Sequence, residues 1–187
     1  FCAFYRTDPD DPSSYTYTVD EMIKKIKKAR DKGCTTILMQ GGLNSNIPFD
    51  FYTEIVSRTV KEFPDITPHF FSAPEIIKMT EVSGLTIKEV FQELKKAGQR
   101  TMPGGGSEIL SNEIKSKISR FKPKNSVDQW TEVHKNAHDV GIHTTATMMY
   151  GHLENDEDII ETLRHIRSVQ DEAIDSKPAK FTAFIPW

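Results

Sequence analysis

One unit recurs along this chain and restricts its fold more than any other feature. An apolar, β-branched run leads into a glycine or polar cluster, an amphipathic helix follows, and a glycine stops that helix. Residues 35–39 (TTILM) run into Gln40-Gly41-Gly42-Leu43-Asn44, and residues 66–71 (ITPHFF) into Ser72-Ala73-Pro74-Glu75. Gln99-Arg100-Thr101-Met102 leads to Pro103-Gly104-Gly105-Gly106-Ser107-Glu108, and residues 142–149 (IHTTATMM) to Tyr150-Gly151-His152. A fifth run, FTAFIPW, occupies residues 181–187. Strands alternating with helices at intervals of about 30 residues predict successive βα units around a parallel sheet, with both strand faces covered.

The helices carry their own start and stop signals. Thr18…Glu21, Thr86…Glu89 and Ser126…Gln129 fit the capping box, in which side chains satisfy the orphan amides of a first turn. Asn155 with Asp156, Glu157 and Asp158 supplies a cap and negative charge for a helix over 156–172. Gly33, Gly98 and Gly141 close helices where a left-handed residue is needed. Met22, Ile23, Ile26 and Ala29 follow helical spacing, as do Ile159, Ile160, Leu163 and Ile166. A helix over 126–140 follows the loop Phe121–Asn125.

Five strands allow an incomplete (β/α)8 barrel, which needs about 250 residues when complete, or a doubly wound sheet. Either fold places its site at the carboxyl ends of the strands, where all the glycine and polar clusters lie. The clusters therefore predict one shared site.

Composition narrows the partners. Net charge is −3, with basic residues interspersed among acidic ones, which argues against nucleic acid or an anionic membrane as partner. No apolar run approaches the roughly 20 residues of a membrane span, and the start FCAFYRTDPDDP lacks the pattern of a signal peptide. Two cysteines, Cys2 and Cys34, make no disulfide framework, so a reducing, cytoplasmic location is expected.

Each candidate group has a functional and a plain structural explanation. Gln40-Gly41-Gly42 and Gly104–Gly106 suit backbone approach to a phosphate or an amino-acid carboxylate, or are tight βα turns. Glu108 is placed to begin the next helix and to bind ligand hydroxyls or an ammonium. Tyr150 and His152, flanking Gly151, can both move protons. His134 and His138 lie four apart as HKNAH, without the glutamate of a zinc motif, and are expected on a solvated helix face. Cys34 is expected to be a small buried residue.

The segment FCAFYR (1–6) resembles the end of the C-x3-C-x2-C cluster loop of radical S-adenosylmethionine (SAM) enzymes, with Cys2 as the third cysteine. MQGGLN (39–44), SAPEI (72–76), PGGGSEIL (103–110), TTATMMYGHLE (144–154) and FTAFIPW (181–187) resemble the branch that acts on futalosine derivatives in menaquinone biosynthesis. The resemblance implies a partial barrel of one domain, an interior fragment spanning 1–187 without its first strand, two cluster cysteines and later units. Such a piece is expected to be inactive and poorly soluble alone.

The resemblance further implies a [4Fe–4S] cluster, with Cys2 as metal ligand, and SAM held by Phe1, Tyr5, Gln40, Gly41, Gly42, Ser72, Glu108, Met149 and Gly151. Leu43 stands where many relatives carry an acidic residue. The implied reaction is hydrogen abstraction from the ribose of dehypoxanthine futalosine and ring closure, with Tyr150 and His152 as catalytic candidates. Reduced flavodoxin or ferredoxin is the implied electron donor. The sister aminofutalosine synthase and the deazaflavin (Fo) synthase subunit share the frame. A cluster-free barrel using Gly104–Gly106 as a phosphate cradle is the reading from another class.

Overall fold

The computed structural model describes residues 4–6, 8 and 10–187. Seven helices and five strands alternate among these residues. The helices are α1 (Val19–Arg30), α2 (Phe49–Glu62), α3 (Ala73–Ser83), α4 (Ile87–Ala97), α5 (Asn112–Ile118), α6 (Val127–Val140) and α7 (Asp156–Ser176). The strands are β1 (Thr36–Met39), β2 (Thr67–Phe70), β3 (Thr101–Met102), β4 (His143–Met148) and β5 (Phe181–Pro186).

The predicted capping boxes form at Thr18, Thr86 and Ser126, the expected Asn155 cap closes into a box with Asp158, and a further box forms at Ser72 with Glu75. Gly98 and Gly141 end α4 and α6 in the left-handed conformation, at φ 112° and 90°. α7 extends to Ser176, one turn beyond the expected 172.

All four strand pairings are parallel, and the strand order is β1-β2-β3-β4-β5. A doubly wound sheet reverses its strand order part-way, whereas a barrel adds each strand on the same side. The unreversed order makes this sheet a sector of a (β/α) barrel. The helices pack on it through Ile55, Val56, Ile76, Met79, Phe91, Leu94 and Trp130, all fully buried, and Phe70 of β2 is fully buried beneath them. The two outer strands depart from the covered pattern expected of them. β1 leaves Leu38 62% exposed, and β5 exposes Phe184 and Ile185, with Trp187 exposed just after it, because no strand lies beyond either edge among the described residues.

Two further expectations are corrected. Cys34 is exposed, in the turn that precedes β1. His134 and His138 are buried rather than solvated, because α6 turns them inward onto β4. His134 Nδ1 lies 3.0 Å and His138 Nε2 2.8 Å from the same Thr144 hydroxyl. A hydroxyl donates one hydrogen bond and accepts others, so it serves both rings only if one ring donates and the other accepts. Burial keeps both rings neutral, lowering the pKa of His138 to about 4 and that of His134 well below its usual value.

Thr144→Val preserves shape and strips both imidazoles of their partner. It should lower unfolding free energy by about 2 kcal/mol in a denaturant melt; an unchanged midpoint would show the hydroxyl to be dispensable.

Candidate functional site

Because every strand is parallel, the segments after β1, β2, β3 and β4 emerge on one rim. Each touches the next. The first junction is made by Glu75. One of its carboxylate oxygens accepts from the Gly41 amide at 2.8 Å. The other accepts from the Ser72 amide and the Ser72 hydroxyl, both at 2.7 Å. This side chain therefore caps α3 and latches the turn after β1 to the turn after β2. Burial pushes its pKa up to about 7, although the hydrogen bonds from Ser72 and Gly41 pull the other way.

The triple glycine makes the second junction, and the reason for each glycine is a protein neighbour. A Cβ on Gly104 would stand 2.4 Å from the Thr145 carbonyl oxygen, and one on Gly105 2.5 Å from the Gln40 amide nitrogen. At Gly106, with φ 96°, a Cβ would meet Pro74 at 2.7 Å and Asn125 at 2.9 Å. The Gly104 amide already donates to the Thr145 hydroxyl at 2.9 Å. The turn is thus packed against β4 and the first two loops, and its geometry does not favour an open phosphate cradle. Gly42 differs, since no atom lies within 4 Å of where its Cβ would stand.

Glu108 occupies a strained left-handed conformation (φ 45°) in the loop, rather than the start of a helix as expected, because α5 begins later at its Ser111 cap. Phe71, which follows β2, is left-handed too at φ 63°. Non-glycine residues there carry strain of order 1–3 kcal/mol, sustained when surrounding contacts over-determine them. For Glu108 one such contact is Lys115, whose buried ammonium lies 3.5 Å from the Glu108 carboxylate and donates to the Gly106 carbonyl. Burial lowers the Lys115 pKa. The Met149 amide then donates to the Glu108 carbonyl at 3.1 Å, joining the β3 and β4 loops.

After β4, Glu154 folds back under its own loop. Its carboxylate, 3% exposed, accepts from the amides of Gly151, His152 and Leu153. The Gly151 amide above all, with those of Glu154 itself and His152, holds its pKa down at about 2. His152 is caught in the same turn. Nε2 lies 3.1 Å from the Met149 carbonyl and Nδ1 3.1 Å from Glu154. Tyr150 instead leaves 55% of its surface open to the rim.

The structure thus gathers Gln40, Gly41, Gly42, Ser72, Glu108, Met149, Tyr150, Gly151 and His152 along one rim. Phe1 and Cys2 lie outside the described residues, and Tyr5 packs on Phe121 with ring centroids 5.7 Å apart. Sequence reasoning missed Glu75, Lys115 and Glu154. Glu75 was within reach, since Ser72-Ala73-Pro74-Glu75 has capping-box spacing; Lys115 and Glu154 carry no such local signature.

The Radical SAM superfamily model matches residues 1–166. This chain belongs to the radical SAM superfamily. It is 41% identical over 187 residues to the cyclic dehypoxanthine futalosine synthase of Halalkalibacterium halodurans, covering 100% of this chain and 48% of that protein. It is 37% identical over 186 residues to the 5-amino-6-(D-ribitylamino)uracil–L-tyrosine 4-hydroxyphenyl transferase of Methanopyrus kandleri, with the same two coverages. The aminodeoxyfutalosine synthase of Thermus thermophilus is 35% identical over 186 residues, again across 100% of this chain and 48% of that protein. The chain spans about half the length of the curated relatives it matches. Among solved structures, methylornithine synthase superposes with a TM-score of 0.67 at 14% identity, over 92% of this chain and 45% of that one, a likeness of fold.

Radical SAM enzymes use a [4Fe–4S] cluster and SAM. The described residues fit SAM in two respects, the open space beside Gly42 and the half-buried Glu108 carboxylate at the same rim. Cys34 lies at the opposite end of β1, so it supplies no thiolate to a cluster at the rim.

A raised carboxylate pKa means that the folded protein holds a proton the unfolded chain releases at about 4.5. The stability linked to it is present below that value and is lost as pH rises toward 7. Glu75→Gln removes the titration, so denaturant melts at pH 5 and pH 8 should show the variant gaining on the parent at the higher pH. A gap independent of pH would contradict the assignment.

Proposed function

We propose that the chain is the central part of a radical SAM cyclase acting on dehypoxanthine futalosine in menaquinone biosynthesis. The observation that carries this reading is the 41% identity, across the whole chain, to a protein named cyclic dehypoxanthine futalosine synthase. The continuous rim supports it, because a radical reaction needs positioned reactants and a site closed to stray hydrogen donors.

Cys2 would ligate the cluster, while Gly41, Gly42, Ser72 and Glu108 would hold SAM, with Phe1, Tyr5, Gln40, Met149 and Gly151 beside it. When bound, the pair supplies one-electron cleavage of a sulfonium and hence a hydrogen-abstracting radical. The protein's own residues then do the remaining work. Glu75 and Lys115 hold the turns that face the ligand, and Glu154 fixes the loop carrying Tyr150. Tyr150 is assigned to substrate contact and proton removal, and His152, held by Met149 and Glu154, to presenting it. The protein works in the cytoplasm on a small molecule, with a reduced low-potential electron-transfer protein as donor. No helix among the described residues is long and apolar enough to cross a membrane.

The deciding experiment is an anaerobic assay of the full-length gene product with dehypoxanthine futalosine, SAM and dithionite, read by mass spectrometry. Cyclised product is expected. Its absence, with a 4-hydroxyphenyl adduct formed from 5-amino-6-(D-ribitylamino)uracil and L-tyrosine, would transfer the reading to the activity named for the relative with 37% identity. An aminofutalosine synthase activity would be the other outcome against it.

Two substitutions dissect the rim. Gly42→Ala meets no protein atom, so it should leave the melting temperature unchanged while weakening SAM binding at least tenfold by calorimetry. Unchanged affinity would remove Gly42 from the cofactor site. Tyr150→Phe should slow product formation about 100-fold with SAM affinity preserved; a rate within twofold of the parent would leave Tyr150 without a proton to move.

A further inference from the structure

Between α5 and α6 the charge of the protein inverts. Residues 115–124 (KSKISRFKPK) hold five cations and no carboxylate, in a chain whose net charge is −3. Two of the five have partners within the protein, buried Lys115 with Gly106 and Glu108, and exposed Lys117 with Glu113 at 2.5 Å on the surface of α5. Arg120, Lys122 and Lys124 are exposed, and among the described residues none of the three forms an ion pair. Exposed charges of one sign set up a local positive potential, which attracts an anion or an acidic surface.

The position of this strap is set by two contacts. Asn125, buried at its end, abuts Gly106 of the rim. Phe121, 63% exposed, packs against Tyr5 with centroids 5.7 Å apart, and the Arg120 guanidinium lies 5.5 Å from the Phe121 ring. Tyr5 belongs to the FCAFYR segment assigned to the cluster and follows Cys2 by three residues in the sequence. The exposed cations therefore border the segment assigned to the cluster, with an exposed aromatic at their centre. A cationic rim around an apolar contact is the form of a transient protein interface, in which charge steers the encounter.

We infer that the Arg120–Lys124 strap is the docking surface for an acidic, low-potential electron-transfer protein of the flavodoxin kind. This rests on the cluster reading given above and adds the place and chemistry of the donor's contact. Complementary charge accelerates association at low salt and loses its influence as the ions screen it.

The test uses the full-length gene product, reconstituted anaerobically with iron and sulfide, and oxidised flavodoxin as the probe in a calorimetric titration. Affinity should fall at least tenfold between 50 mM and 300 mM salt. The double variant Arg120→Glu/Lys122→Glu should bind at least tenfold more weakly at 50 mM, and Arg120→Gln/Lys122→Gln should fall between it and the parent. Cluster absorbance, SAM affinity and reduction by dithionite should stay within twofold of the parent in both variants. The inference is overturned if the variants bind flavodoxin as the parent does, or if SAM affinity and dithionite reduction decline in parallel. Preferential capture of an RNA oligonucleotide over flavodoxin would also overturn it. A parent protein that forms no cluster refutes the functional reading itself, whereas an intact cluster with strap-independent binding refutes the docking surface alone.

Discussion

The rim exists because three consecutive residues after β3 have no side chains. With a Cβ at Gly104 the turn could not lie against the Thr145 carbonyl, and with one at Gly105 the Gln40 amide would be displaced. Interiors are packed too densely for such overlaps to be absorbed without movement. Everything else at the site follows from this approach. Ser107 reaches Thr147 of β4 and Glu108 the loop after it, Asn125 comes in beside Gly106, and the strap that follows α5 is held at the same edge.

Around that turn the protein spends buried polar groups as fasteners. Glu75, Lys115 and Glu154 are each withdrawn from water and each bind backbone groups of a loop. A desolvated charge is unfavourable unless several hydrogen bonds converge on it, and here they do. The two carboxylates show how the balance is struck. Glu75, fully enclosed, is shifted up toward neutral pH, whereas Glu154, taking three amides, is shifted down. The first junction is thus sensitive to protonation near pH 7, whereas the Glu154 carboxylate stays ionised there. His134 and His138 follow the same logic away from the rim, where one hydroxyl serves two neutral rings.

Much of this was legible in the chain. The capping spacings at Thr18, Thr86, Ser126 and Asn155 announced their helices, because those hydrogen bonds join residues three apart. The positions of all five strands, and the gathering of their trailing loops into one site, followed from the βα repeat and the one-sided logic of parallel sheets. Where local reasoning failed, the deciding contact was distant in sequence. Cys34 was expected inside but lies in an exposed turn, and HKNAH was expected outside but faces β4. The glycines were legible as close-approach positions, yet only the fold shows that the approaching atoms belong to Thr145, Gln40, Pro74 and Asn125 rather than to a ligand.

By itself the sequence determined the alternation of elements, their caps and the edge on which the site would lie, since all three depend on short-range periodicity and backbone geometry. The tertiary structure decided that the sheet is a barrel sector, through a strand order no local pattern encodes. It also decided which polar side chains act on ligands and which hold loops. Glu75 and Gly41 are 34 residues apart, and Glu108 and Met149 are joined across β3 and β4. Such pairings are set by the register of parallel strands, a property of the assembled sheet and not of any segment within it.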